Sequence, residues 1–353
     1  MSLNQAKQWY EFSLLQTAAE SYLHLLNPAD PGSKNRILKF GNNHPDFYSS
    51  PTDPMLPGAT RMTDTQIQEF SANFEIIDHA PNDESGLSMT LFRRKTDDPS
   101  TGAKAGDYTI SFRSTEFANE SQGGDWKRDG SSGADGQVMW SGFAFNQLIN
   151  AERIFKNWLA GKNADGSAAP IGGGLSSFSQ ASTQFRQAGG ASLYATGYSL
   201  GGNLATTFTV LYDDLIRHAY TFNGAGIGKG SKSQISDMLA YFQKVMEDPE
   251  KANDVPSWAI PSGQTSVNLT GYPANPTTIP PAFTAAKAVA DANTPLPTNI
   301  YDDARAKWAD EATRKAFGIF IGATNFNSES AFGNITSFYG HADQGDYERR
   351  QQD

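Results

Sequence analysis

The sequence predicts an α/β protein built on a mostly parallel, twisted sheet with helices on both faces. Three observations predict it. Short apolar or alternating runs recur between stretches whose apolar residues fall three and four apart, so strand-like and helix-like segments alternate. Residues 191–215, ASLYATGYSLGGNLATTFTVLYDDL, read as a buried strand, a tight glycine turn and an apolar-faced helix in direct succession. Neither an internal repeat nor a clear two-domain split interrupts the pattern, so one doubly wound sheet in a single domain over residues 1–353 is expected.

Taken in order, residues 4–25 predict an amphipathic helix carrying Trp9, Phe12, Leu15 and Tyr22 near one face. Residues 26–66 are rich in Pro, Gly, Asn and Asp and read as a surface wrap, so residues 1–70 form an N-terminal helix and wrapping segment. Residues 73–78, 88–94 and 107–113 alternate as strands, the last two joined by the polar, turn-rich stretch 95–106 as an antiparallel hairpin. Residues 114–141 lack a period and read as a long loop, and 143–159 predicts a helix with Phe145, Leu148, Ile154, Phe155 and Trp158 inward. Residues 160–190, with a glycine run at 172–174, read as an insertion. After the 191–215 unit come a strand at 218–223, a helix at 232–247 and a short strand at 264–270. The Pro-, Ala- and Thr-rich stretch that follows makes 271–330 a second insertion, with a helical pattern at 302–317 and a last strand at 334–339.

Composition narrows the functions open to such a chain. Its net charge of −10 lacks the basic stripe that a nucleic acid would need. Without cysteine it has no disulfide, no thiolate metal site and no Cys nucleophile. Its five histidines, His24, His44, His79, His218 and His341, show no H-x-x-x-H or H-E-x-x-H spacing, which argues against a zinc hydrolase. Mean hydropathy is −0.51, with no apolar run near the ~20 residues of a membrane span. The start, MSLNQAKQWYEF, shows no signal-peptide pattern. A secreted or cytoplasmic, bacterial-like protein fits these features.

Gly197-Tyr198-Ser199-Leu200-Gly201 is a G-x-S-x-G sequence between strand and helix. Chance produces the bare pattern easily, and its strand-turn-helix context is what gives it meaning. A nucleophilic serine must stand at the tip of a sharp turn to meet a carbonyl carbon. Gly197 and Gly201 let helix and strand approach, and the Leu200 amide at the helix start can donate to a developing oxyanion.

Three stretches resemble the class 3 lipases, a family of the α/β-hydrolase fold, and lipase-type modules of secreted bacterial proteins. Ile110–Glu116, ISFRSTE, is similar to the family's FRG[ST] motif, with Ser114 where the family has glycine. Gly124–Asp129, GDWKRD, with the later Ser141-Gly142-Phe143, resembles the N-W-x-x-D segment and the G-F before a long helix. Thr196–Gly202, TGYSLGG, resembles TGHSLGG, with Tyr198 for histidine. The likeness spans about residues 73–226, including TFNGAG at 221–226. It implies an α/β-hydrolase fold and a serine carboxyl-ester hydrolase acting on lipid esters, a triacylglycerol lipase or phospholipase A1. It implies no cofactor and no metal, a lipid or ester substrate, and transient contact with a membrane or lipid–water interface. By the same resemblance Thr115 is the second oxyanion donor beside Leu200, residues 117–141 fall where the family keeps its lid, and Trp126 lies within them.

The base must follow Ser199, because this fold orders its triad Ser, acid, His. Of the two later histidines, His218 begins a strand too early, whereas His341 lies just past the last one. The acid is open. Asn253-Asp254-Val255-Pro256 resembles the family's D-x-V-P phrase, yet no clear strand precedes Asp254, and Asp291 and Asp302 are the alternatives. The catalytic set expected is Ser199, His341 and Asp254. Two other functions fit the same residues: an acyltransferase or peptidase with this triad, and an inactive hydrolase-like binding or effector module.

Overall fold

Among the described residues six strands form one mixed sheet whose spatial order is the sequence order: β1 (Phe74–Ala80), β2 (Met89–Arg94), β3 (Tyr108–Phe112), β4 (Leu193–Tyr198), β5 (Ile216–Phe222) and β6 (Ile335–Phe338). The computed structural model describes residues 2–42, 60–83, 85–115, 134–135, 138, 142–168, 191–227, 232–247, 256–257 and 335–338. The strand and the helix expected at 264–270 and 302–317, most of the 160–190 insertion and all of the 271–330 insertion lie outside the described residues. β1, β2 and β3 pair antiparallel, and β3 through β6 pair parallel. The hairpin expected at 95–106 is present, and the sheet is mostly parallel in an α/β arrangement.

Among the described residues six α-helices cover the two faces: α1 (Leu3–Glu20), α2 (Ser33–Phe40), α3 (Asp64–Asn73), α4 (Phe145–Leu159), α5 (Leu200–Leu211) and α6 (Lys232–Glu247). Strand alternation sorts the core into two layers. Leu91, Ile110, Leu193, Ala195 and Ala219 face Phe155, Leu204, Phe208 and Met238 on one side. Phe92, Tyr194 and Tyr220 face Phe12, Leu15, Ile37 and Phe70 on the other. The face carrying α4, α5 and α6 follows from handedness: right-handed crossovers between parallel strands that advance in one direction leave their helices on one side.

The described strands carry the α/β part of the expectation, a mostly parallel sheet with helices on both faces. Strand order never reverses among the described residues. The second face is covered instead by α1, α2 and α3 from the N-terminal segment, and α1 touches β2, β3, β4 and β5. Residues 26–66 therefore hold more than a surface wrap. A Thr63/Gln66 capping box starts α3, and Gly41 closes α2 with a positive φ that leaves no room for a Cβ beside the Thr60 carbonyl. Two boundaries also move. α1 stops at Glu20, with a short 3-10 turn at Leu23–Leu25 replacing its expected end. α5 stops at Leu211, and β5 begins at Ile216, so Leu215 lies in the turn and His218 is the third residue of its strand.

Polar groups, buried or half-buried, tie these layers together. Asp78, beside a bulge in β1, accepts from Trp158 Nε1 at 2.8 Å and Ala164 N at 2.6 Å, fastening the end of α4 to the antiparallel edge. Glu11 on α1 pairs with Arg94 on β2 at 2.5 Å with both side chains buried. Removing one partner of such a pair strands a charge and costs roughly 3–5 kcal/mol. Glu11→Ala should therefore lower the urea unfolding free energy by about that amount. A loss below ~1 kcal/mol would show that α1 is not anchored through this pair.

His79 on β1 makes the fold sensitive to acid. Its Nδ1 lies 2.9 Å from Thr90 Oγ1, and its Nε2 is shut off from solvent. Burial first, then the neighbouring charges of Arg113 and His24, hold its pKa at about 3. An unfolded histidine titrates near ~6.5, so below that pH the unfolded chain takes up the proton that the fold refuses. This contribution to stability is intact at neutral pH and is lost as pH falls from about 6.5 toward about 3. His79→Gln should flatten the fall in Tm between pH 7 and pH 4. Parallel Tm profiles for variant and wild type would refute the assignment.

Candidate active site

The turn between β4 and α5 is set by sterics. A Cβ on Gly197 would lie 1.9 Å from the Gly201 carbonyl oxygen. One on Gly201 would lie 2.2 Å from the Phe112 carbonyl oxygen at the end of β3, and one on Gly202 would lie 2.5 Å from Gly224 Cα. These glycines let β3, the first turn of α5 and the exit of β5 converge on one point, and Ser199 stands there.

Ser199 has φ 52° and ψ −119°. That is close to the first central position of a type II′ turn, which glycine normally fills. Among the described residues only Asn223, in the TFNGAG stretch, is another non-glycine residue with positive φ. The strained conformation is over-determined by its hydrogen bonds. Ser199 N donates to the Phe222 carbonyl at 3.1 Å, and the Ser199 carbonyl accepts from Gly202 N at 2.9 Å, Ala225 N at 3.0 Å and Asn203 N at 3.3 Å. Asn203 extends the lock, donating through Nδ2 to the carbonyls of Gly142 at 2.9 Å and Gly226 at 2.8 Å. Ser199 stays half-buried while its neighbours Gly197 and Leu200 are buried.

Leu200 is the first residue of α5, where the amide has no acceptor inside the helix and the helix dipole favours negative charge. Thr115 lies three residues past Phe112, and Phe112 is paired with Gly197 across the parallel β3–β4 ladder. The expected oxyanion donors therefore come from the ends of adjacent strands at the edge of the sheet that carries Ser199. Thr115 is buried, and its hydroxyl lies 3.5 Å from Asp135 Oδ2, a long contact. Burial raises the Asp135 carboxyl above its usual range, and the Thr115 contact lowers it by less. Ala134, also in the 117–141 stretch, is packed into the core. Trp126 and most of that stretch lie outside the described residues.

His341 and all three candidate acids, Asp254, Asp291 and Asp302, lie outside the described residues. His218 is described, and it sits in mid-strand opposite Tyr194 with Nε2 2.7 Å from Thr336 Oγ1 on β6. That engages it in the sheet and removes it from the serine's edge. Among the described residues no group of three or more His, Cys, Asp and Glu side chains is placed to hold a metal ion.

A polar cluster that no sequence motif marks lies beside Thr115. Glu20, the last residue of α1, is fully buried. Its Oε1 accepts from Ser114 N at 3.0 Å and Gln16 Nε2 at 2.6 Å, and its Oε2 accepts from Ser114 Oγ at 2.7 Å and Asn42 Nδ2 at 3.1 Å. Burial is the dominant influence on this carboxyl and raises its pKa, against the lowering pull of Ser114, Arg113 and Gln16. Periodicity held a signal for the cluster: Phe12, Gln16 and Glu20 are four apart, so both polar residues ride the buried stripe of α1.

No family model, no curated protein and no solved structure matches the chain. Among the described residues, no helix is long and apolar enough to cross a membrane.

Replacing Ser199 tests the strain. An off-region residue costs roughly 1–3 kcal/mol, and glycine escapes that cost. Ser199→Gly should therefore unfold at higher urea than Ser199→Ala, by about 1 kcal/mol. Equal midpoints would mean that the turn holds residue 199 without strain.

Proposed function

We propose that this chain is a serine carboxyl-ester hydrolase of the α/β-hydrolase fold, acting on lipid esters through an acyl-enzyme on Ser199. One observation carries the reading: a serine held at positive φ, at a turn position that glycine normally fills, between a parallel strand and the N-terminus of a buried helix. A chain that needed only the turn would place glycine at residue 199 and avoid the strain. Serine there puts a hydroxyl where a reacting carbonyl can reach it.

In this reading Ser199 Oγ attacks the ester carbonyl carbon while His341 takes its proton. The carbonyl oxygen becomes an oxyanion and is held by the amides of Leu200 and Thr115. The tetrahedral intermediate collapses, its C–O bond breaks, and the alcohol leaves with the proton returned by His341. Water, deprotonated by His341, then attacks the acyl carbon; the bond from that carbon to Ser199 Oγ breaks, His341 returns the proton to Ser199 Oγ, and the acid is released. An aspartate, Asp254, Asp291 or Asp302, orients the imidazole. Topology supports the choice of base. β6 runs parallel to β5 with Phe338 paired to Phe222, and Phe222 is paired to Tyr198, so the chain leaves β6 at the edge where Ser199 stands, three residues before His341. Lipid esters as substrates rest on the likeness of residues 73–226 to class 3 lipases, and contact with a lipid–water interface follows from that choice.

A fluorophosphonate should label wild-type protein at Ser199, located by peptide mass, and should fail to label Ser199→Ala. Labelling of His341→Ala should be slower by about 10³-fold or more. Among Asp254→Asn, Asp291→Asn and Asp302→Asn, one alone should lower kcat by an amount on the order of 10⁴. Folded wild-type protein that resists the probe, with and without detergent, would overturn the hydrolase reading in favour of a binding module.

A further inference from the structure

We propose that Glu20 is a positioning residue for the oxyanion-binding loop, holding the Ser114–Thr115 segment in register with Ser199 from the opposite face of the sheet. The proposal rests on the hydrolase reading of Ser199 and Thr115. It accounts for two features that reading leaves unexplained: a buried carboxylate at the end of α1, and a serine at position 114.

The location of Glu20 is costly by every local measure. It is a carboxylate with about 1% of its surface exposed. It also ends a helix, where the partial negative charge of the last carbonyls opposes it. A buried charge is tolerated only where its acceptor capacity is used. Here four donor bonds converge on its two oxygens, two of them from one residue, Ser114, through backbone and side chain together. That two-point grip fixes the orientation of Ser114, and the next peptide unit carries the Thr115 amide. Gln16, one turn earlier on α1, holds the preceding residues: its Nε2 donates to the Phe112 carbonyl at 3.0 Å, and its Oε1 accepts from Ser111 Oγ at 2.8 Å. The Phe112 carbonyl is the atom against which Gly201 packs. A single set of bonds thus references the β3 exit both to α1 and to the serine turn.

Serine at 114 belongs to the same device. Glycine there would supply the amide bond to Glu20 but no hydroxyl, leaving the loop held at one point. With serine, the carboxylate receives both donors and the backbone torsions on either side are restrained. A preorganised donor is worth most when it needs no reorganisation as charge develops, so the device acts on the transition state more than on substrate binding.

The substitution Glu20→Gln keeps the shape and is the direct test. An amide presents one oxygen and one NH2, so in either orientation at least one donor faces a donor: Ser114 N and Gln16 Nε2 if the NH2 takes the place of Oε1, Asn42 Nδ2 if it takes the place of Oε2. Hydrolysis of a short soluble ester should show kcat reduced tenfold or more with KM within twofold. Ser114→Ala removes only the hydroxyl and should reduce kcat about three- to tenfold, again at constant KM. The double variant should be no worse than Glu20→Gln alone, because the two act through one contact. A folded Glu20→Gln protein with kcat within twofold of wild type would overturn the proposal, as would losses that multiply independently or appear in KM. If Glu20→Gln does not fold, Ser114→Ala decides: unchanged kcat overturns the clamp. These outcomes are separable from failure of the hydrolase reading, which appears as wild-type protein inert to ester and to fluorophosphonate. Active wild type with an indifferent Glu20→Gln removes Glu20 alone from the machinery.

Discussion

Everything near Ser199 depends on the absence of three side chains. Gly197, Gly201 and Gly202 bring backbone against backbone at distances no Cβ could share, and three strand ends meet through them. Phe112 on β3, the Gly197–Gly202 turn and Gly224 after β5 are one contact surface made of peptide groups. Ser199 is held in an unfavourable conformation because the hydrogen bonds of this surface outweigh its local preference. The helix that follows could not start so close to the sheet otherwise, nor could its N-terminus be aimed along the line of the strands.

The sheet supports this point from both sides by unlike means. On one face the crossover helices α4, α5 and α6 pack on each other and on the small strand residues Ala195 and Ala219. On the other, α1 crosses four strands and contributes both apolar contacts, such as Phe12 stacked on Tyr220 at 4.0 Å, and polar ones through Glu11, Gln16 and Glu20. That second face is the reason the N-terminal segment bears on the site at all. A helix that only capped the core would have no need of three buried polar side chains, each with a partner on β2 or β3 or in the loop beyond it.

Much of this was legible in the sequence and some was not, for identifiable reasons. The serine turn was readable because glycine spacing reports close backbone approach directly, and the hairpin because alternation reports a half-buried strand. Helix ends misled at Leu215, whose apolar character suits a turn packed on the core as well as a helix, and near Ser21, where a 3-10 turn keeps the period going. α2 and α3 were hidden by the surrounding Pro, Gly and Asn, although Thr63-Asp64-Thr65-Gln66 spells a helix start. The reversal expected of a doubly wound sheet has no local signature; strand order is decided by pairing. Gln16 and Glu20 were passed over because polar residues on a helix read as solvated until the helix is seen to be covered. Leu200 and Thr115 lie just beyond the ends of adjacent strands, and His341, Asp254, Asp291 and Asp302 lie outside the described residues.

The unreversed strand order has a consequence for what can be recognised above Ser199. In a sheet whose order reverses, neighbouring connections depart to opposite faces and leave a crevice between them, so the framework itself supplies a binding slot. Here α4, α5 and α6 all descend on one side, and among the described residues there is no such parting. In the hydrolase reading, the described framework leaves the walls around a substrate to other parts of the chain. Framework and selectivity are then carried by separate parts of the chain. The first is fixed by glycine contacts that tolerate nothing larger, and the second is free to change in length and composition without disturbing them.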